Sequence, residues 1–240
     1  MADRLWAAAL LVLALAAFAH FIRGGEVGFP PPHWPSGRAR YFTRAASRIA
    51  LLFGAPAIVL LTAAGRIDAL FAMPQAFAPL RQVTGAISLA GRSTLLLGGA
   101  VLTGALIGAV AARVTRRRLQ VGRIGAVLPR GRGELGWGVL LSLVAGVCEE
   151  CFFRLLIPLL ATIVTGEPVV AFVLSTLLFG AAHRYQGWTG VIATTLVGAL
   201  LAYAYVATAS LWVAIGLHVF IDLNALVLRP LLTGRIDWRA

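Results

Sequence analysis

Apolar residues run along this chain in blocks longer than a strand or a surface helix requires, separated by short links that carry arginine. The first block, residues 5–22, contains no Asp, Glu or Arg. Others occupy 49–64, 93–112 and 135–164, and three more follow over 169–182, 189–207 and 210–228. A hydrocarbon core about 30 Å thick takes about 20 apolar residues to cross as a helix. Backbone groups in lipid are satisfied only inside helices or closed barrels. The pattern predicts an all-α polytopic membrane helical bundle of about seven transmembrane helices. An eighth enters if 67–80 inserts, or if the long fourth block splits.

Proline and glycine refine these elements. The link 23–48 holds Pro30, Pro31, Pro32 and Pro35 and cannot be helical throughout. Pro56 predicts a kink in the second block. At 1.5 Å per residue the fourth block exceeds a ~30 Å core, so it should tilt, protrude or break at Pro158. Gly104 and Gly108 give the third block the spacing of close helix packing. There is no internal repeat and no soluble domain. Three regions follow: 1–134, N-terminal spans with basic loops; 135–228, a helical core holding unusual polar residues; and 229–240, a short basic tail.

Composition strengthens the membrane assignment. Of 240 residues, 60% are hydrophobic and only 12% charged, about half the usual share for soluble domains, and mean hydropathy is +0.88. The net charge of +12 comes from 21 basic residues, all arginine. They cluster between apolar blocks, where topology determinants and lipid-phosphate contacts belong, so the implied partner is membrane lipid and not nucleic acid. Alternation through seven spans puts the link 23–48, the stretch 113–132, Arg184 and the tail on one side. The positive-inside rule makes that side cytoplasmic, with the C-terminus there, in the inner (plasma) membrane. Arginine-only, alanine-rich usage suggests a GC-rich bacterial genome. The first block is longer than a signal peptide's apolar region and no small-x-small site follows, so it is expected to be a retained span.

The fourth block contains Cys148-Glu149-Glu150-Cys151-Phe152-Phe153-Arg154. An ionisable residue at the centre of a membrane helix costs about 2.5–3.5 kcal/mol on insertion scales, so three together need partners or a task. Glu150 and Arg154 are four apart and share a face, which suits an internal ion pair. Glu149 is turned about 100° away and has no such partner in its own helix. The two cysteines are expected to act as small packing residues.

Later spans add His183, His218 and Asp222. His218 and Asp222 are four apart on one face. Phe179 lies one turn before His183. Buried ionisable groups face the bundle interior and pair there. Glu149, Glu150, Arg154, His183, His218 and Asp222 should therefore converge from three helices on one polar cluster. A carboxylate and an imidazole around a buried water make a general-base pair, which suits peptide hydrolysis in the membrane. Ser142 and Ser175 are weaker candidates, because there is no GxSxG and no lysine to form a Ser–Lys dyad. There is no HExxH, although two histidines with carboxylates can also ligate a metal.

Glu149-Glu150-x-x-x-Arg154, Phe179-x-x-x-His183 and His218-x-x-x-Asp222, in that order, resemble the CAAX protease and bacteriocin-processing (Abi) family of glutamate-dependent intramembrane endopeptidases. The resemblance covers about 136–228. It implies that Glu149 activates the attacking water with help from His183, that Glu150 and Arg154 form a structural pair, and that His218 and the residue at 222 stabilise the oxyanion. The eukaryotic prenyl proteases have asparagine at that last position. Asp222 donates a hydrogen bond only when protonated, and it could instead orient His218. No cofactor is expected, and no residue is assigned to a metal. The expected substrate is a membrane-anchored protein or lipidated peptide, such as a bacteriocin leader, a regulatory anchor or a C-terminal sorting tail. A non-catalytic immunity or scaffold role is the alternative. A proton-coupled transporter is less well supported, because no inverted repeat is visible. Nothing in the sequence bears on the oligomeric state.

Overall fold

The computed structural model describes residues 2–24, 38–84, 127–233 and 236. The expected third span, 93–112, most of the arginine-rich stretch 113–132 and the prolines of the first link lie outside the described residues.

Helix α1 is Ala2–Arg23. Helix α2 occupies 38–63: a basic, amphipathic segment Arg38–Ile49, a π-helical turn Ala50–Gly54, and an apolar segment Ala55–Ala63. Two 3-10 turns, Ile67–Leu70 and Gln75–Phe77, lead into the short α3, Ala78–Thr84. Helix α4 occupies 132–165, as Arg132–Glu150, a π-helical turn Cys151–Leu156, and Ile157–Thr165. Helix α5 is Pro168–Ala182, and a 3-10 turn Arg184–Gln186 joins it to α6, Gly187–Thr208. Helix α7 occupies 211–232, as Leu211–Leu223, a π-helical turn Asn224–Leu228, and Arg229–Leu232. No strand occurs among the described residues.

Each π-helical turn lies just before a proline: Pro56, Pro158 and Pro230. Proline lacks the N–H and its ring crowds the carbonyl four residues back. Widening the turn by one residue moves that carbonyl aside and lets the helix continue. Pro158 therefore does not break α4, which runs on to Thr165. At about 1.5 Å per residue it is about 50 Å long, more than a bilayer core. Gly166, at φ +81°, ends it, and Pro168 opens α5 at a position where no N–H is required.

Four described helices are long and apolar enough to cross a membrane: Ala2–Arg23, Ala39–Ala63, Arg184–Thr208 and Leu211–Leu232. Pro168–Ala182 is apolar but shorter. The expected count of about seven is therefore not reached among the described residues. Valines and leucines such as Val12, Val173, Leu174, Leu177 and Leu196 stand exposed on the outer helix faces, as lipid-facing side chains do in a membrane protein.

Helix α4 is the axis of the bundle. Its first half packs on α7 and the basic segment of α2, and its second half packs on α1 and α5, while α6 closes the circuit between α5 and α7. The π-helical turn at the middle of α4 lies in an aromatic core. Phe53 meets Phe152 and Phe153 at 4.9 and 5.0 Å between ring centres, and Phe153 meets Phe179 of α5 at 5.5 Å. Such pairs contribute about 0.5–1.5 kcal/mol each beyond area burial. They fix the rotation of α4, and with it the direction of the side chains just before the turn.

Candidate active site

Helix α4 turns Glu149 and Glu150 inward, where both are buried. Glu150 is fully enclosed and holds two cations. Its Oε2 is 3.1 Å from Arg154 Nε, one turn on, and its Oε1 is 2.6 Å from Nδ1 of His218 on α7. A carboxylate only accepts, so His218 Nδ1 carries the proton and donates. Arg154 is 1% exposed. It lies over the Phe179 ring at 4.1 Å and donates from Nη2 to the Gly198 carbonyl at 3.4 Å. A guanidinium face against an aromatic ring is a favourable cation–π contact. Residues of α4, α5, α6 and α7 thus surround this one pair.

Glu149 is placed differently. Its Oε2 is 4.0 Å from His183 Nε2, too far for a hydrogen bond, and it has no hydrogen-bond partner among the described residues. His183 follows the last residue of α5, where its Nδ1 donates to the Phe179 carbonyl at 2.9 Å. That bond fixes the tautomer and leaves the Nε2 lone pair facing Glu149. Phe179 lies against His183 at 4.8 Å between ring centres, with the rings tilted by 53°, and meets His218 edge-on at 5.8 Å, so one ring spaces the two imidazoles. Asp222, one turn after His218, has Oδ2 3.7 Å from His218 Nε2.

Glu149, Phe179, His183, His218 and Asp222 all line one cavity of about 880 Å³. Of the polar residues lining it, Glu149 and His218 are 6% exposed, His183 14% and Asp222 29%. Most of the remaining lining is apolar, including Ile49, Leu141, Ala145, Val191, Ile221 and Leu226. The arrangement offers two facing acceptors, Glu149 and His183, beside a second imidazole, in a low-dielectric pocket large enough for a peptide segment.

The six ionisable residues singled out from the sequence occupy this one region. Two relations were not foreseen. Glu150 was expected to serve Arg154 alone, yet it also holds His218, more closely than Asp222 does. Arg154 was expected to have only its ion pair, yet Phe179 and Gly198 also receive it. Two further residues at the site, not singled out by pattern, are Tyr185, whose ring lies 5.9 Å from that of His183, and Arg229, which lines the cavity from α7. Helical spacing from His218 through Asp222 to Arg229 was the available signal. Ser142 and Ser175 are buried with their hydroxyls donating to the carbonyls of Gly138 and Phe153. Cys148 and Cys151 are free thiols, Cys148 packing against Gly54. No group of three or more His, Cys, Asp or Glu side chains among the described residues is arranged so that it could hold a metal ion.

Residues 131–224 match a family described as Rce1-like, type II CAAX prenyl endopeptidases. The match is consistent with the CAAX protease family that the three motifs resemble, and it includes every residue of the cluster. No curated protein and no solved structure matches the chain.

Proposed function

We propose, starting from a CAAX-protease-like C-terminal half, that this chain is an intramembrane endopeptidase whose nucleophile is a water activated by Glu149 and His183. The observation that carries this is the 4.0 Å gap between Glu149 Oε2 and His183 Nε2. Both atoms are acceptors: a carboxylate oxygen, and the lone pair left by the His183–Phe179 bond. Two acceptors repel unless a double donor bridges them, and water is the smallest such donor.

In the proposed reaction the water oxygen attacks the scissile carbonyl carbon while its proton passes to Glu149. His183 Nε2 accepts the second O–H and aims the oxygen lone pair. Charge then develops on the carbonyl oxygen, and His218 Nε2–H stabilises it, with Nδ1 held by Glu150 so that the ring cannot turn. The C–N bond breaks as Glu149 returns the proton to the leaving amine. The products are a carboxylic acid and an amine, and no further reactant is needed. Asp222 steadies His218 from the other side, a role that asparagine could also fill. The proposed substrate is a membrane-anchored protein or lipidated peptide, because the cavity is mostly apolar.

The test compares protein termini in membranes of cells expressing wild type, Glu149→Gln or His183→Gln. Removing a general base of this kind is expected to slow cleavage by about 10²–10⁴-fold, so termini present with wild type should vanish in both variants. Identical termini in all three strains would overturn the proposal.

A further inference from the structure

The cavity extends well beyond Glu149 and His183, and its lining changes character along α7. His218, Asp222, Ala225, Leu226 and Arg229 all face it. They form one face of α7, which continues through the π-helical turn Asn224–Leu228 to Arg229. The stripe begins at the polar cluster, crosses two apolar side chains and ends on a guanidinium. Asp222 and Arg229 are about 10 Å apart along the axis, at 1.5 Å per residue. His218 is 6% exposed and Asp222 29%, while Leu226 is buried and Arg229 half-buried, so the stripe stays largely enclosed as far as Arg229.

Arg229 is half-buried, and no carboxylate among the described residues lies within ion-pair distance of it. Arg184 lines the same cavity and is exposed, with Nη2 donating to the Ile22 carbonyl. Arg48, Arg184 and Arg229 thus add positive charge to a cavity whose acidic lining residues are Glu149 and Asp222. A half-buried guanidinium facing a largely apolar space is a strong anion receptor, because charge-assisted hydrogen bonds strengthen as water is excluded.

We infer that Arg229 is a specificity-determining residue that binds a carboxylate carried by the substrate, on the far side of an apolar stretch that lies over Ala225 and Leu226. The inference rests on the peptidase proposed above, since a peptide supplies that anion either as its C-terminus or as an acidic side chain. The cleavage machinery at one end and the anion receptor at the other would together set how far from the carboxylate the chain is cut.

Binding is measured on the purified Glu149→Gln protein in detergent, with three synthetic peptides that share one apolar sequence. One ends in a free carboxylate, one in an amide, and one in an amide preceded by aspartate. At least one carboxylate-bearing peptide should bind about tenfold tighter than the plain amide, the scale of one charge-assisted contact. Which of the two does so identifies the source of the anion. Adding Arg229→Ala should bring all three to one affinity, Arg229→Glu should invert the order, and Arg229→Lys should keep part of the preference. Arg66→Ala, which removes an exposed charge outside the cavity, controls for the net charge and should leave the preference intact. No preference for a carboxylate, no binding of any peptide, or a preference that survives both Arg229→Ala and Arg229→Glu would overturn the inference. Failure of the peptidase proposal has a separate signature, namely protein termini that do not depend on Glu149.

Discussion

Glu150→Gln tests how the site is held together, and its size follows from the geometry. Glu150 is fully buried, 3.1 Å from Arg154 and 2.6 Å from His218. At 3.1 Å and an effective dielectric of about 20, the attraction to Arg154 is about 5 kcal/mol, and desolvation of both groups offsets much of it. Removing one partner alone leaves Arg154 buried with only the Phe179 ring and the Gly198 carbonyl. That costs about 3–5 kcal/mol in buried pairs generally. Glutamine keeps the shape and one acceptor, so the lower end, about 3 kcal/mol, is expected. In a chain of this length each kcal/mol moves the melting temperature by about 2–4 °C, giving a fall of about 6–12 °C. The assay is thermal unfolding in detergent followed by tryptophan fluorescence. Arg154→Met should also destabilise, and the double variant Glu150→Gln/Arg154→Met should lose less than the sum, with a coupling of about 1–3 kcal/mol. Glu149→Gln provides the contrast. Its Oε2 lacks a hydrogen-bond partner among the described residues, so neutralising it should leave the melting temperature unchanged or higher while cleavage is lost. A melting temperature for Glu150→Gln that matches wild type, or strict additivity in the cycle, would refute the buried-pair account.

Gly146→Ala would place a Cβ 2.4 Å from Val219 Cγ2 and 3.1 Å from its backbone nitrogen. This would push α7 off α4 beside His218, so cleavage of any identified substrate should fall and stability should drop by about 1–3 kcal/mol. A variant as stable and active as wild type would contradict the close approach of the two helices. Gly198→Ala meets Phe179 Cδ1 at 2.9 Å and Arg154 Nη2 at 3.4 Å, whereas a Cβ at Gly216 meets nothing within 4 Å. Gly198→Ala should therefore lower the melting temperature, while Gly216→Ala should raise it slightly, as alanine is favoured over glycine in a helix by about 0.5–1 kcal/mol. Ser142→Ala and Ser175→Ala should retain cleavage, because both hydroxyls are committed to backbone carbonyls. Loss of cleavage in either without loss of folded protein would point to a serine nucleophile.

Much of this protein is written in local pattern. Blocks of apolar residues determine that it is helical and a membrane protein, because hydropathy and the 3.6-residue period act within one segment. The Glu150–Arg154 pair is legible for the same reason, since four residues along a helix bring side chains together whatever surrounds them. Even the π-helical turns have a local cause in Pro56, Pro158 and Pro230, although the sequence suggested a kink at Pro56 and offered a break at Pro158. Tertiary structure alone decided how the helices turn toward one another. The contact of Glu150 with His218 joins residues 68 positions apart. It depends on the rotation of α4 and α7, which the packing of Phe53, Phe152, Phe153 and Phe179 and the close approach at Gly146 determine. The facing of Glu149 and His183, the seat of Arg154 on Phe179, and the place of Arg229 in the cavity arise in the same way. A helix specifies which of its residues share a face, but only contact with other helices decides what that face meets.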